Sequence, residues 1–189
     1  GWGAPLLAEQ LLIINVLADG IPGFYISREP GEPTAMQQAP VGSDESILAR
    51  GLGRRLGLRA VTFTILTLGI YALGRFVLSG NQAEVGMTMV FLVLAVGSMI
   101  DIYAIKDREP LTVMSLKRNP TLNRALMVGV AVVIAIVAIP GFRNLIGLVA
   151  LPASAWVFAI VGMFVPTIVL ELNKRWQQRR QVVVTNFAE

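Results

Sequence analysis

Five stretches of the chain stay apolar for about the 20 residues that a helix needs to cross a bilayer. They run from Pro5 to Ser27, Leu58 to Leu78, Val85 to Ile105, Leu126 to Ile146 and Pro152 to Leu172. No polar face repeats at helical spacing inside them, which separates them from the amphipathic helices of a soluble core. The pattern therefore predicts an all-α fold, a polytopic membrane bundle of about five transmembrane helices. The second and third stretches are the clearest. The first contains Glu9, Asn15 and Asp19 with the breakers Gly20, Pro22 and Gly23, and the fourth is interrupted by Pro140 and Gly141.

The loops set the expected orientation. Arg28, Arg50, Arg54, Arg55 and Arg59 lie between the first two spans. Lys106, Arg108, Lys117, Arg118 and Arg124 lie between the third and fourth, and Lys174, Arg175, Arg179 and Arg180 follow the fifth. The other side holds Arg75 and Arg143, a ratio of 14 to 2. The positive-inside rule makes the first side cytoplasmic, with the amino end outside and the carboxyl end inside. The cytoplasmic loops are then 28–57 and 106–125. Trp2 and Trp156 near the outer edge and Trp176 at the inner edge suit interfacial anchoring. The stretch from Glu29 to Leu52 is rich in Pro, Gly, Gln and Ser, has no apolar period, and reads as a loop.

Composition agrees. Of 189 residues, 54% are hydrophobic and 15% charged, and mean hydropathy is +0.66, against about 45–50% apolar and 25% charged for soluble domains. Cysteine and histidine are absent, so disulfides, Cys/His zinc sites, thiol nucleophiles and Ser-His-Asp chemistry are excluded. The net charge of +4 is explained by membrane topology, and no nucleic-acid partner is expected. The chain starts at Gly1 with neither an initiator Met nor a signal peptide, and is expected to begin partway through a longer protein.

Candidate chemistry lies in the polar residues at membrane depth. A carboxylate there costs about 2.5–3.5 kcal/mol on insertion scales, so it faces a cavity or a partner. Asn15 and Asp19 are four residues apart and share a helix face. Pro22 follows, with no amide hydrogen and a ring that clashes with the carbonyl of Ala18. The helix is expected to loosen from Ala18 to Gly23, with Gly20, Pro22 and Gly23 as the unwinding residues. Freed carbonyls beside a carboxylate and an amide oxygen suit a hard, partly dehydrated cation. Interhelical hydrogen bonding for Asn15, a cationic partner for Asp19 and a simple packing kink are the structural alternatives. Asp101 has two readings. It either pairs near the inner surface, with Lys106 about 7–8 Å further along the helix, or lines a site with Ser98, which shares its face. Glu171 and Arg175 are expected to form a four-apart helix pair.

One segment carries a resemblance. The text Glu9-Gln10-Leu11-Leu12-Ile13-Ile14-Asn15-Val16-Leu17-Ala18-Asp19-Gly20-Ile21-Pro22, followed by Arg28-Glu29-Pro30-Gly31-Glu32-Pro33-Thr34-Ala35-Met36, resembles the sixth transmembrane helix and following loop of P-type cation pumps of the calcium-ATPase type. The rest of the chain is similar in layout alone. The resemblance implies the last five of ten transmembrane helices, with Asn15 and Asp19 as ligands of the transported cation. Its partners would be the lipid bilayer, the preceding transmembrane helices and the cytoplasmic ATPase domains, where ATP and Mg2+ would act. The loop after Arg28 would face the phosphorylation domain. A bacterial plasma membrane is the expected location. Ala18 stands where pumps carrying two calcium ions have Thr, as in single-site calcium or related pumps. Asp101 with Lys106 is similar to the eighth helix of sodium/potassium and proton/potassium pumps. The sequence contains no Asp-Lys-Thr-Gly-Thr phosphorylation motif, nucleotide-binding sequence or Gly-rich phosphate loop, so this chain alone is not expected to hydrolyse ATP. The implied function is the ion-translocation part of an ATP-driven pump. The rivals are a stand-alone membrane subunit or remnant without transport, and a small independent cation carrier.

Overall fold

A computed structural model describes residues 4–28, 52–106, 111 and 119–186. Trp2, the segment 29–51 with Arg50 and the second part of the family motif, Arg108, Lys117 and Arg118 lie outside the described residues, as do the side chains of Lys106, Arg179 and Arg180. The described residues are helical and contain no strand.

The first helical run comprises α1 (Ala8–Ile14), a π-helical turn π1 (Asn15–Gly20) and α2 (Ile21–Ile26). Next come α3 (Leu52–Ala72), which passes directly into a second π turn, π2 (Leu73–Leu78), and then α4 (Ala83–Lys106). The chain continues as α5 (Pro120–Ala138), the short α6 (Pro140–Leu145) and α7 (Ala153–Asn186). Among the described residues four helices are long and apolar enough to cross a membrane: Leu52–Leu78, Ala83–Ile105, Pro120–Ala138 and Ala153–Gln178. The first run is divided by its π turn.

Helix ends follow local chemistry rather than hydropathy. The fourth apolar stretch was expected over 126–146, but α5 starts at Pro120. The Asn119 side chain caps it by accepting the Leu122 amide at 2.9 Å, and Pro120 fills the first helical position, where no N–H is needed. At the other end Pro140 drives Ile139 into an extended conformation (φ −84°, ψ 118°) and stops the helix. The remaining outer residues form α6 separately. Pro166, by contrast, is carried within α7.

The bundle is built around α4. In its apolar window 78% of residues are buried, against 17% to 33% in the other three spans. It packs on α3, π1, α5 and α7. Its exclusively apolar run Met89–Ala95 is therefore buried in protein except at Leu94, which is half-buried. The contacts fix helix directions. Gly74 meets Gly86 while Arg59 meets Asp101, so α3 and α4 run antiparallel. Gln10 meets Ile146 while Tyr25 meets Asn119, so the first run opposes α5. One end of the bundle thus gathers Arg28, Arg54, Arg55, Arg59, Arg124, Lys174 and Arg175, while Arg75 and Arg143 stay at the other.

The crossing of α3 and α4 depends on missing side chains. A Cβ on Gly74 would lie 2.7 Å from the Gly86 Cα, and one on Gly86 would lie 2.8 Å from the Tyr71 carbonyl oxygen. Both obstacles are backbone, so the helices would have to separate. Gly86→Val is expected to lower stability by about 1–3 kcal/mol, the usual range for overpacking. Thermal unfolding of the detergent-solubilised protein checks this; an unchanged midpoint would refute the tight crossing.

Two buried polar side chains tie down the connection between α6 and α7. Gln10 is fully buried; its amide nitrogen donates to the Ile146 carbonyl at 2.9 Å and its oxygen accepts the Leu7 amide at 3.0 Å. The Thr88 hydroxyl donates to the Glu84 carbonyl at 2.8 Å and accepts the Val149 amide at 3.0 Å. Backbone groups that would otherwise be unsatisfied at the edge of the bundle are paired in this way.

Candidate functional site

The first helical run shows how its sequence disturbs a helix. In π1 the Ile21 amide donates to the Val16 carbonyl, five residues back, instead of to Leu17. Pro22 has no amide to donate, and the wider turn before it relieves the crowding of its ring. The sequence placed the disturbance at Ala18 to Gly23. The structure has it at Asn15–Gly20, and α-helix resumes at Ile21 with Pro22 in the first turn. Pro22 and Gly23 thus sit in regular helix, and Gly20 closes the wide turn. The physical reason is that a helix can absorb the missing hydrogen bond by adding one residue to the preceding turn, so it need not unwind after the proline.

That turn carries both polar candidates. Asn15 opens it and Asp19 is its penultimate residue. Ala18, between them, is 1% exposed and faces the bundle. Asn15 and Asp19 both point away from it and are exposed. Neither side chain has an ion-pair or hydrogen-bond partner among the described residues. Asn15 and Gly20 also line a groove of about 820 Å³ between the first run and α5, with Phe24, Tyr25, Thr121 and Arg124 on its walls; Asp19 lies outside it. Among the described residues no three Asp or Glu side chains gather where they could hold a metal ion. The described residues thus place a carboxylate and an amide one turn apart on an open face of an apolar helical run.

Asp101 occupies a different setting. It is fully buried on α4, and its Oδ2 accepts a hydrogen bond from Arg59 Nε at 2.7 Å. Arg59 is 29% exposed and also lies over the Phe63 ring, 5.4 Å from its centroid. Asp101 Oδ1 is buried with no hydrogen-bond partner among the described residues. Ser98 is half-buried one turn earlier. Among the described residues the partner of Asp101 is thus Arg59 from the preceding span; the side chain of Lys106, to which sequence spacing pointed, lies outside them. In the sequence Arg59 reads as one of the topology charges. The signal for its role is that it stands just inside an apolar span, where an unpaired guanidinium is costly.

Nearby, Glu171 Oε1 pairs with Lys174 at 2.8 Å, three residues on, rather than with the expected Arg175. Its second oxygen accepts the Leu111 amide at 2.8 Å. Lys174 points into the bundle at 6% exposure while Arg175 is exposed, so helix phase selects the partner. Asn119, Gln10 and Thr88 were not singled out in the sequence as structural ties either. Each is a polar residue at the end of an apolar run, which is the available signal.

Together these features define a polytopic helical membrane protein whose first helical run carries a polar, π-helical break. Comparison with known proteins makes the assignment specific: residues 3–176 match the family described as cation transporting ATPase, C-terminus, and the chain belongs to that family. It is similar to Calcium-transporting ATPase 1 of Bacillus cereus, with 24% identity over 92% of this chain and 21% of that protein. A protein of the same name from Lactococcus lactis is 26% identical over 92% of this chain and 20% of its own length. Calcium-transporting ATPase of Bacillus subtilis is 21% identical over 88% and 18%. The chain thus spans about a fifth of the length of the relatives it matches.

Proposed function

We propose that this chain is the membrane-embedded ion-translocation part of an ATP-driven P-type cation pump, in which Asn15 and Asp19 supply oxygen ligands to a calcium-like cation in transit. The observation that carries the proposal is the pairing of an exposed carboxylate and amide with a π turn in the middle of an apolar helical run. Exposure of Asp19 in this chain supports further protein on that face, because lipid would not solvate the charge. The complementary ligands would come from additional transmembrane helices, and energy from ATP and Mg2+ in cytoplasmic domains. The names of the relatives support calcium as the cargo.

The mechanism is alternating access. Phosphorylation elsewhere shifts helix packing, so Asn15 and Asp19 gain or lose their coordination partners. The cation is gripped in one state and released outward in the other, and only this difference in affinity can couple the two events. The π turn suits the role because its hydrogen bonds are already out of α-register, so it can change shape with few bonds to break. The end that gathers most of the arginine and lysine residues is cytoplasmic in this reading, in a bacterial plasma membrane. Asp101 joins the ion path, with Ser98, only in a state where Arg59 has released it; its free Oδ1 is the atom that would meet a cation.

The direct test is ion-dependent ATP hydrolysis by the intact protein across several cations. Activation by calcium-like cations is expected. Activity indifferent to every cation tried, or no phosphorylation sequence encoded upstream, would favour the remnant or subunit reading instead.

A further inference from the structure

We infer that the corner where α3 begins, α4 ends and α7 leaves the apolar layer binds the phosphate of an anionic phospholipid headgroup, with Arg55 as its cationic anchor. A pocket of about 50 Å³ lies there, and three cations, Arg55, Arg59 and Lys174, line it. Two are already engaged: Arg59 with Asp101 at 2.7 Å and Lys174 with Glu171 at 2.8 Å. Arg55 is half-buried and has no acidic partner among the described residues. A half-buried guanidinium in an apolar wall calls for an anion, and phosphate matches its fork of donors. The volume admits a compact phosphate and no more of a lipid.

The surroundings select a lipid over a soluble anion. Leu52, Leu56 and Ile105 border the pocket and are 39%, 41% and 41% exposed. A soluble phosphate would leave them bare, whereas the glycerol and upper acyl chain of a bound lipid would cover them. Trp176, on α7 just beyond the pocket, is 46% exposed at the level where interfacial tryptophans sit. Basic pockets between transmembrane helices on the cytoplasmic side are a recurrent answer to anionic headgroups. The inference needs the spans to lie in a bilayer and nothing from Asn15 or Asp19, so it stands or falls separately from ion transport.

Native mass spectrometry of the intact protein in detergent, titrated with phosphatidylglycerol and phosphatidylcholine, tests it. Preferential retention of phosphatidylglycerol is expected. Arg55→Gln should weaken that retention roughly five-fold, the effect of one basic residue near an anionic surface. Arg55→Lys should keep most of it. Arg54→Gln, an exposed neighbour outside the pocket, should leave it unchanged. Millimolar inorganic phosphate should not compete. Equal retention of both lipids, equal effects of the Arg54 and Arg55 substitutions, or full displacement by inorganic phosphate would each overturn the assignment.

Discussion

Asp19→Ala in the intact pump is expected to abolish cation-dependent phosphorylation by ATP at ordinary cation concentrations. The substitution deletes the one carboxylate of the π turn in the first helical run. A hard dication takes several oxygens and depends on anionic ones for strength. Losing even an outer-shell partner of a metal site costs about 10–100-fold in affinity, so a direct ligand should cost on the order of a hundred-fold or more. The π turn should survive, because the Asp19 side chain makes no hydrogen bond among the described residues. Phosphorylation by inorganic phosphate, which runs the cycle from the ion-free side, should therefore persist and prove the variant folded. Asn15→Ala should shift the cation requirement in the same direction, by less. Wild-type cation dependence in Asp19→Ala would end the assignment of this residue to the transport path.

The second large effect is expected at Arg59. Asp101 is fully buried, and Arg59 supplies the one hydrogen bond its carboxylate makes among the described residues. Arg59→Met leaves that carboxylate in the bundle core without its counter-charge. Removing one partner of a buried ion pair costs about 3–5 kcal/mol. The low end applies here, because Arg59 is 29% exposed and solvent screens part of the pair. The double variant Arg59→Met/Asp101→Leu removes both charges and should recover most of the loss. Thermal unfolding in detergent, at fixed lipid and cation concentration, reads both numbers. An unchanged midpoint in Arg59→Met would show that the pair contributes nothing. Transport separates the two roles of Asp101. If it meets a cation when Arg59 lets go, the double variant changes ion preference or stoichiometry; if the pair is purely structural, transport keeps its ion selectivity.

The helical membrane class was legible from the sequence because a bilayer imposes a length and a composition on whatever crosses it. Four spans appear as single long helices, and the polar cluster at Asn15 and Asp19 was found by cost alone. Helix ends were less legible. The start of α5 six residues before its apolar stretch is a matter of one asparagine cap and one proline. Hydropathy averages over a window and cannot register either. The position of the break in the first run was also hidden. Proline chemistry predicts a disturbance on its amino-terminal side, but not whether the helix unwinds or widens.

Partners across the bundle were the least legible. Arg175 was the neighbour along the chain for Glu171, and helical spacing is the only rule that one sequence offers for pairing charges. In the bundle, Arg59 reaches Asp101 from an antiparallel helix and Lys174 turns inward to Glu171.

By itself, then, the sequence determined what the chain dissolves in, roughly where it crosses, and which residues are too polar for that place. These are sums of local transfer costs, and they need no coordinates. Tertiary structure decided that α4 is the protein-covered centre, that Gly74 and Gly86 let two helices touch, and which cation each buried carboxylate meets. It also left Asn15 and Asp19 on an open face. Those outcomes depend on which helix faces come together, a property of the packed bundle that no local term along the chain contains.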